Sequence, residues 1–114
     1  MKKLNESYIL EKKSKFIGII YKVENLEQVE IILNELKLEH KKARHIVYAY
    51  KLDGIEKSSS DKEPSGTTRG LLDIIHFKND NNVLIVVIRY FGGTLLGSSL
   101  LTRTYTKCVS LLYK

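Results

Sequence analysis

The feature that most constrains the fold is the apolar run Val83–Ile88, which has no polar face before Arg89. Its residues are β-branched or leucine, a pattern typical of a strand that is covered on both faces. The run is much too short to span a membrane. We therefore expect Val83–Tyr90 to be the central strand of a sheet, with Ile85 and Val87 buried.

The N-terminal part of the chain predicts two strands and a helix. Ser14–Val23 is rich in β-branched and aromatic residues and predicts a strand, paired with a shorter one around Ser7–Leu10. Asn25 is a typical helix N-cap, and Gln28 three residues later makes a variant of the capping box. Apolar residues then recur at helical spacing: Leu26, Val29, Ile32, Leu33 and Leu36.

The middle of the chain predicts a hairpin followed by a second helix. His45–Leu52 alternates apolar residues between two faces, and Asp53-Gly54 is a hairpin turn signal. Ile55–Ser59 should therefore return antiparallel to the first strand of the hairpin. A polar loop over residues 58–68 leads into a helix that should end near Phe77.

The last helix should begin at Ser98 or Ser99, with an inward face that includes the single cysteine: Leu101, Tyr105, Cys108, Val109 and Leu112. We expect Cys108 to be a buried thiol. The elements predict an α+β fold, a mixed β-sheet with helices packed against it. No linker or repeat interrupts the chain, so residues 1–114 are predicted to form a single domain.

Composition and charge narrow the function classes. The chain has 114 residues and a formal net charge of +6, which favours anionic partners. No acidic residue follows Asp80, and Lys12, Lys13 and Lys15 form a second basic group. No secretory signal or membrane-spanning run is found, so a cytoplasmic location without membrane attachment is expected. No metal-ligand spacing or cofactor motif is present, so neither a metal nor a cofactor is expected.

Candidate binding residues lie at the ends of the predicted elements, where functional groups are common. They fall in three segments: His45; the loop with Asp61, Glu63 and Ser65; and the C-terminal segment with Arg89, Gly92, Gly93, Gly97 and Arg103. The third segment joins a strand to a helix N-terminus, which is a natural anion site. Gly92–Ser99 has the spacing of a phosphate-binding P-loop, but Ser98 replaces its lysine, so nucleotide hydrolysis is disfavoured.

The acidic loop has two interpretations. Asp61 and Glu63 could indicate acid–base or metal chemistry, and with His45 they would form a minimal set of functional groups. The favoured interpretation is structural: Asp61 caps a turn, and Glu63 pairs with Arg89 or Arg103. No catalytic residue is assigned, since nothing in the sequence supplies a general base for Ser65.

The same segments carry a family pattern, and with it the chain resembles the N-terminal domain of the YigZ/IMPACT family. The matching motifs are Glu11–Gly18, His45 with Tyr48–Tyr50, Ser60-Asp61 with Glu63–Thr67, Arg89–Gly93, and Leu96-Gly97 with Leu101, Arg103 and Tyr105. The resemblance implies a fold similar to domain 2 of ribosomal protein S5 and a link to translation. Bacterial relatives usually carry a second, ferredoxin-like domain, which is not expected within this sequence.

Three functions remain open. The leading hypothesis is a non-enzymatic regulatory or binding protein of translation, which acts through RNA, the ribosome or a translation-factor protein. The alternative is an enzyme that acts on a phosphorylated small molecule or nucleotide in a cleft formed by His45, Asp61, Glu63, Arg89 and Arg103. The third is a protein-interaction module whose polar motifs only hold the fold. The sequence does not indicate an oligomeric state.

Overall fold

The computed structural model describes all 114 residues as one five-stranded sheet with helices on both faces. The strands and helices follow one another along the chain as β1 (Lys2–Glu11), β2 (Ser14–Lys22), α1 (Leu26–Glu39), β3 (His45–Leu52), β4 (Ile55–Ser59), α2 (Gly66–Phe77), β5 (Val83–Tyr90) and α3 (Ser98–Ser110), followed by a 3-10 turn over Leu111–Tyr113. The strand order is β1-β2-β5-β3-β4. Strand β5 is therefore central, as the apolar run predicts.

The central strand is buried along nearly its whole length. Every residue from Val83 to Arg89 is buried, and Ile85 and Val87 are fully inaccessible. Val87 faces Gly18 of β2 on one side and Val47 of β3 on the other. Because consecutive strand residues point to opposite faces, β5 contributes to two separate apolar clusters.

Helix α1 covers one face of the sheet. Its buried residues are those of the predicted apolar stripe except Leu26, which is exposed: Val29, Ile32, Leu33 and Leu36. Asn25 caps the helix by accepting from the Gln28 N–H, as predicted. The Gln28 side chain accepts from the backbone N–H of Glu24 rather than from that of Asn25, so the box closes one residue earlier.

Helices α2 and α3 cover the other face. Leu71 and Ile75 of α2 pack with the predicted inward face of α3, including Tyr105 and Cys108. Burial raises the pKa of the Cys108 thiol, whose sulfur lies 3.3 Å from the Ser7 hydroxyl. The expectation of a buried cysteine is confirmed.

Three details differ from the sequence expectations, although the α+β class is confirmed. Every pairing is antiparallel, so the sheet is not mixed: β2 and β3 run in the same direction, but β5 lies between them. Strand β1 covers ten residues, whereas the sequence predicted a short strand around Ser7–Leu10. The extra residues were missed because an exposed edge strand needs little apolar alternation. Helix α2 begins at Gly66, inside the expected loop, where Thr67 bonds back to Pro64. No helix has both the length and the apolar content to cross a membrane.

Candidate functional site

The sheet register brings three side chains side by side at one end of the sheet. Phe16 near the start of β2 lies opposite Arg89 near the end of β5, and Arg89 lies opposite His45 at the start of β3. Side chains two residues apart on a strand point to the same face, so Arg89 points the same way as Val87, and His45 the same way as Val47. With Phe16, they point to the face covered by α2 and α3. This row is the floor of the candidate site.

The loop before α2 brings a carboxylate onto this row. Arg89 Nη1 donates to both oxygens of Glu63, at 3.1 and 2.8 Å, and the Tyr105 hydroxyl donates to Glu63 Oε2. The side chains of Arg89 and Glu63 are only 7% and 5% exposed. Burial raises the pKa of Tyr105, and the hydrogen bond to Glu63 raises it further, so this hydroxyl remains a donor. The predicted partner of Glu63 is therefore Arg89 and not Arg103.

His45 is held by the same loop. Its Nδ1 lies 2.6 Å from the carbonyl oxygen of Asp61, which can only accept, so Nδ1 carries a proton. Its Nε2 lies 3.4 Å from Glu63 Oε1. The Asp61 carboxylate accepts from the backbone N–H of Ile46 at 2.7 Å, which fixes the loop to the start of β3. Asp61 therefore has a structural role, but its carboxylate holds the loop against β3 and does not cap a turn, which is the role that the sequence had suggested.

A cavity of about 310 Å³ opens beside this cluster. It is lined by β3, β5, the acidic loop and the start of α3: Arg44, His45, Glu63, Pro64, Arg89, Phe91, Leu95, Leu96, Gly97, Ser98 and Leu101. The Arg44 guanidinium lies 4.5 Å from the centre of the Phe91 ring, which orients a positive charge at the opening. Arg89 Nε is buried and has no hydrogen-bond acceptor.

The first turn of α3 has free donors, and it borders the same cavity through Gly97, Ser98 and Leu101. Its N-cap is Gly97, with φ +80°, a conformation that favours glycine, and no side chain caps the helix. The first backbone bond into this helix is from Leu101 to Gly97, so the N–H groups of Ser98, Ser99 and Leu100 have no acceptor within the chain. The positive end of the helix dipole lies at the cavity wall.

Positive side chains surround this end of the sheet. We define the basic end as six exposed residues that make no ion pair: Lys12, Lys13, Lys15, Lys41, Lys42 and Arg44. The turn that carries Lys12 and Lys13 packs against Gly92, where a Cβ would come within 2.1 Å of the Lys13 carbonyl oxygen. Glycine at this position therefore lets the lysine turn approach the end of β5.

The structure brings together only part of the predicted set. His45, Asp61, Glu63, Arg89 and Gly97 lie at the site. Five predicted residues do not line the cavity: Asp61, Ser65, Gly92, Gly93 and Arg103. Of these, Asp61 still contacts His45 from the loop, and Ser65 is the N-cap of α2. Arg103 is exposed on α3 and makes no side-chain hydrogen bond or ion pair, because the inward face of the helix is occupied by Leu101, Thr104 and Tyr105.

Sequence reasoning missed Arg44 and the lysines beside it. Arg44 directly precedes His45 at the start of a strand, and this position could have marked it as a candidate binding residue. Its placement over the Phe91 ring could not be predicted, because it depends on tertiary contacts. No group of three or more His, Cys, Asp or Glu side chains is arranged to hold a metal ion. The chemistry of the site is therefore that of buried guanidinium, imidazole and free backbone N–H groups.

Comparison with known proteins places this chain in a family. The model of the Impact N-terminal domain matches residues 12–112. The chain belongs to the Impact N-terminal domain family. It is similar to the IMPACT family member YvyE of Bacillus subtilis, at 34% identity over 96% of this chain and 52% of that protein. It is also similar to Protein IMPACT-B of Xenopus tropicalis, at 40% identity over 78% of this chain and 30% of that protein.

Two solved structures share the fold. A crystal structure of a hypothetical protein matches with a TM-score of 0.85 and 26% identity, over 98% of this chain and 58% of that one. The two-domain translational regulator Yih1 matches with a TM-score of 0.58 at 24% identity, over 97% of this chain and 46% of that one, which shows likeness of fold alone. The chain spans about half the length of YvyE.

Proposed function

We propose that this domain is a non-enzymatic binding module of the translation machinery and that its basic end contacts the phosphate backbone of RNA. The link to translation is supported by membership of the Impact N-terminal domain family. A translational regulator, Yih1, has a similar fold. The charged residues of this chain indicate the contact surface.

The observation that carries the proposal is the concentration of unpaired positive charge at one end of the sheet. The β1–β2 turn supplies Lys12 and Lys13, and the segment before β3 supplies Lys41, Lys42 and Arg44. These elements are far apart in sequence, and the sheet order brings them to the same end. Exposed, unpaired cations grouped in this way attract a polyanion and release its counterions on binding.

The geometry disfavours the enzymatic alternative. Glu63 is engaged by Arg89 and Tyr105 and is almost fully buried, so it is poorly placed to exchange protons with a substrate. The Asp61 carboxylate accepts from the backbone N–H of Ile46. Both carboxylates of the proposed acid–base set thus hold the loop in place.

The test is the salt dependence of binding to single-stranded RNA, measured by fluorescence anisotropy. Each phosphate contact contributes roughly −0.7 to the log–log slope, so three or four contacts predict about −2 to −3. A triple substitution to glutamine at Lys15, Lys41 and Lys42 should make the slope shallower by up to about 2.

The matched control is a triple substitution to glutamine at Lys2, Lys22 and Lys57, three exposed lysines away from the basic end. It removes the same charge and should leave the slope nearly unchanged. Equal losses in both variants would show that only net charge matters and would contradict the assigned surface. If the wild type binds RNA no better than a lysine-rich control protein at low salt, the RNA proposal fails and a protein partner is favoured.

A further inference from the structure

We infer that the cavity between Arg44, Arg89 and the first turn of α3 is a specific subsite for one phosphate group of the bound RNA. This inference rests on the proposed function and adds to the basic end a single site with fixed donors. Its ligand is a phosphate oxygen, from either the RNA backbone or a 5′-terminal phosphate.

The start of α3 has no side-chain cap. Three consecutive backbone N–H groups, those of Ser98, Ser99 and Leu100, have no acceptor in the chain. The N-cap Gly97 has no side chain that could occupy them. A helix that keeps these donors free at a cavity wall is suited to an external anion.

Arg89 also indicates an anion in this cavity, independently of the helix. The Arg89 side chain is more than nine-tenths buried and lines the same cavity, yet its Nε has no acceptor. Only its Nη1 is engaged, by Glu63. A buried donor without a partner is costly, and such exceptions call for a ligand or an ion that completes them. A phosphate in the cavity would supply acceptor oxygens beside this guanidinium.

The charge balance of the cavity supports an anion. Its charged lining residues are Arg44, Arg89 and Glu63, with His45 as a further titratable group. The Glu63 charge is compensated by Arg89 at 2.8 Å. Arg44 and the positive end of the α3 dipole therefore remain uncompensated. Arg44 is also held over Phe91, so less of its conformational freedom is lost on binding.

The direct test is titration of the isotope-labelled chain with inorganic phosphate at constant ionic strength, followed by amide NMR. We expect saturable shifts at Ser98, Ser99 and Leu100. Ser98→Pro removes one donor at the first helical position, where proline is well tolerated. Loss of one charge-assisted hydrogen bond should weaken phosphate binding by about tenfold.

The matched control is Ser98→Ala, which keeps the backbone N–H and removes only the hydroxyl. It should bind phosphate nearly as the wild type does. If Ser98→Pro perturbs the fold, Arg44→Gln serves in its place, since this exposed side chain can change without disturbing the core. Phosphate binding that is unchanged in both Ser98→Pro and Arg44→Gln, or shifts that do not saturate, would overturn the inference.

A pair of RNA oligonucleotides of one sequence distinguishes the two phosphate sources. If the site takes a terminal phosphate, the 5′-phosphorylated RNA should bind more tightly, and Ser98→Pro should remove the difference. If it takes a backbone phosphate, Ser98→Pro should weaken both RNAs equally. RNA binding that is insensitive to Ser98→Pro would overturn the subsite and leave the proposed function standing. Phosphate binding without RNA binding would overturn the proposed function and the RNA assignment of the subsite.

Discussion

Arg89 donates from a single nitrogen, Nη1, to both carboxylate oxygens of Glu63, and almost none of either side chain is exposed. The pair joins the end of the central strand to the loop before α2. Tyr105 of α3 donates a hydrogen bond to the same carboxylate. Three elements of the domain thus meet at one carboxylate. Because the pair is buried, the loss of one partner leaves an uncompensated charge.

Glu63→Gln should therefore destabilise the domain strongly. The amide is similar in shape but carries no charge, so Arg89 would remain buried without a counterion. Breaking a buried pair in this way costs on the order of 3–5 kcal/mol. Chemical denaturation measures the change in the free energy of unfolding.

The control for this prediction is Glu6→Gln, which breaks the exposed Lys3–Glu6 pair, 3.1 Å long. An exposed pair contributes little, so the expected change is about 0.2–1 kcal/mol. If the two variants lost the same free energy, the buried pair would not be a structural centre of the domain.

The fold could be predicted largely from local patterns. The apolar run of β5, the hairpin at Asp53-Gly54 and the stripe of α1 each follow from residue spacing alone. The length of β1 could not, because its exposed edge lacks the alternation that marks a half-buried strand. Its length is set by pairing with β2, which is a tertiary interaction.

The site was predicted less completely, for a physical reason. Positions at element ends indicated His45, Glu63 and Arg89, and the sheet order brings these together. The choice between Arg89 and Arg103 as the partner of Glu63 depends on the rotation of α3 about its axis. Because Tyr105 points inward, Arg103 points to solvent.

Tyr105→Phe should lower stability at neutral pH and change its pH dependence. Removing the hydroxyl leaves Glu63 without one of its buried donors, which costs about 1–3 kcal/mol. The pKa of Tyr105 in the folded state is raised by burial and by Glu63, while tyrosine in an unfolded chain titrates near 10. The folded chain thus retains this proton where the unfolded chain releases it, so stability is full below about pH 10 and falls as the pH rises above it.

The measurement is the free energy of unfolding as a function of pH. One retained proton corresponds to a fall of about 1.4 kcal/mol per pH unit, and Tyr105→Phe should make the alkaline fall shallower by up to this amount. Some dependence should remain, because burial also raises the pKa of Tyr113, with its hydrogen bond to Asp80. An identical alkaline profile in the variant and the wild type would contradict the role given to this hydroxyl.

Val87→Ala tests the central position of β5. Val87 is fully inaccessible and lies between Gly18 and Val47. Lost burial and the remaining cavity should cost on the order of 1–3 kcal/mol in chemical denaturation. Ile55→Ala, at a strand position that is 68% exposed, is the control and should change stability by about 0.5 kcal/mol or less. A similar small change for Val87→Ala would be incompatible with a doubly covered strand.

Arg103→Ala separates a structural role from a binding role at a residue that lies outside the cavity. Arg103 makes no ion pair or side-chain hydrogen bond, so its removal should change the free energy of unfolding by about 0.5 kcal/mol or less. It also lies outside the basic end, so we expect the salt dependence of RNA binding to stay as in the wild type. A fall in the log–log slope by roughly 0.7 with unchanged stability would instead indicate one phosphate contact at Arg103 and would extend the RNA surface along the exposed side of α3. A marked loss of stability would mean that Arg103 has an intramolecular partner. That result would contradict the structure, in which Arg89 and Tyr105 are the hydrogen-bond donors to Glu63.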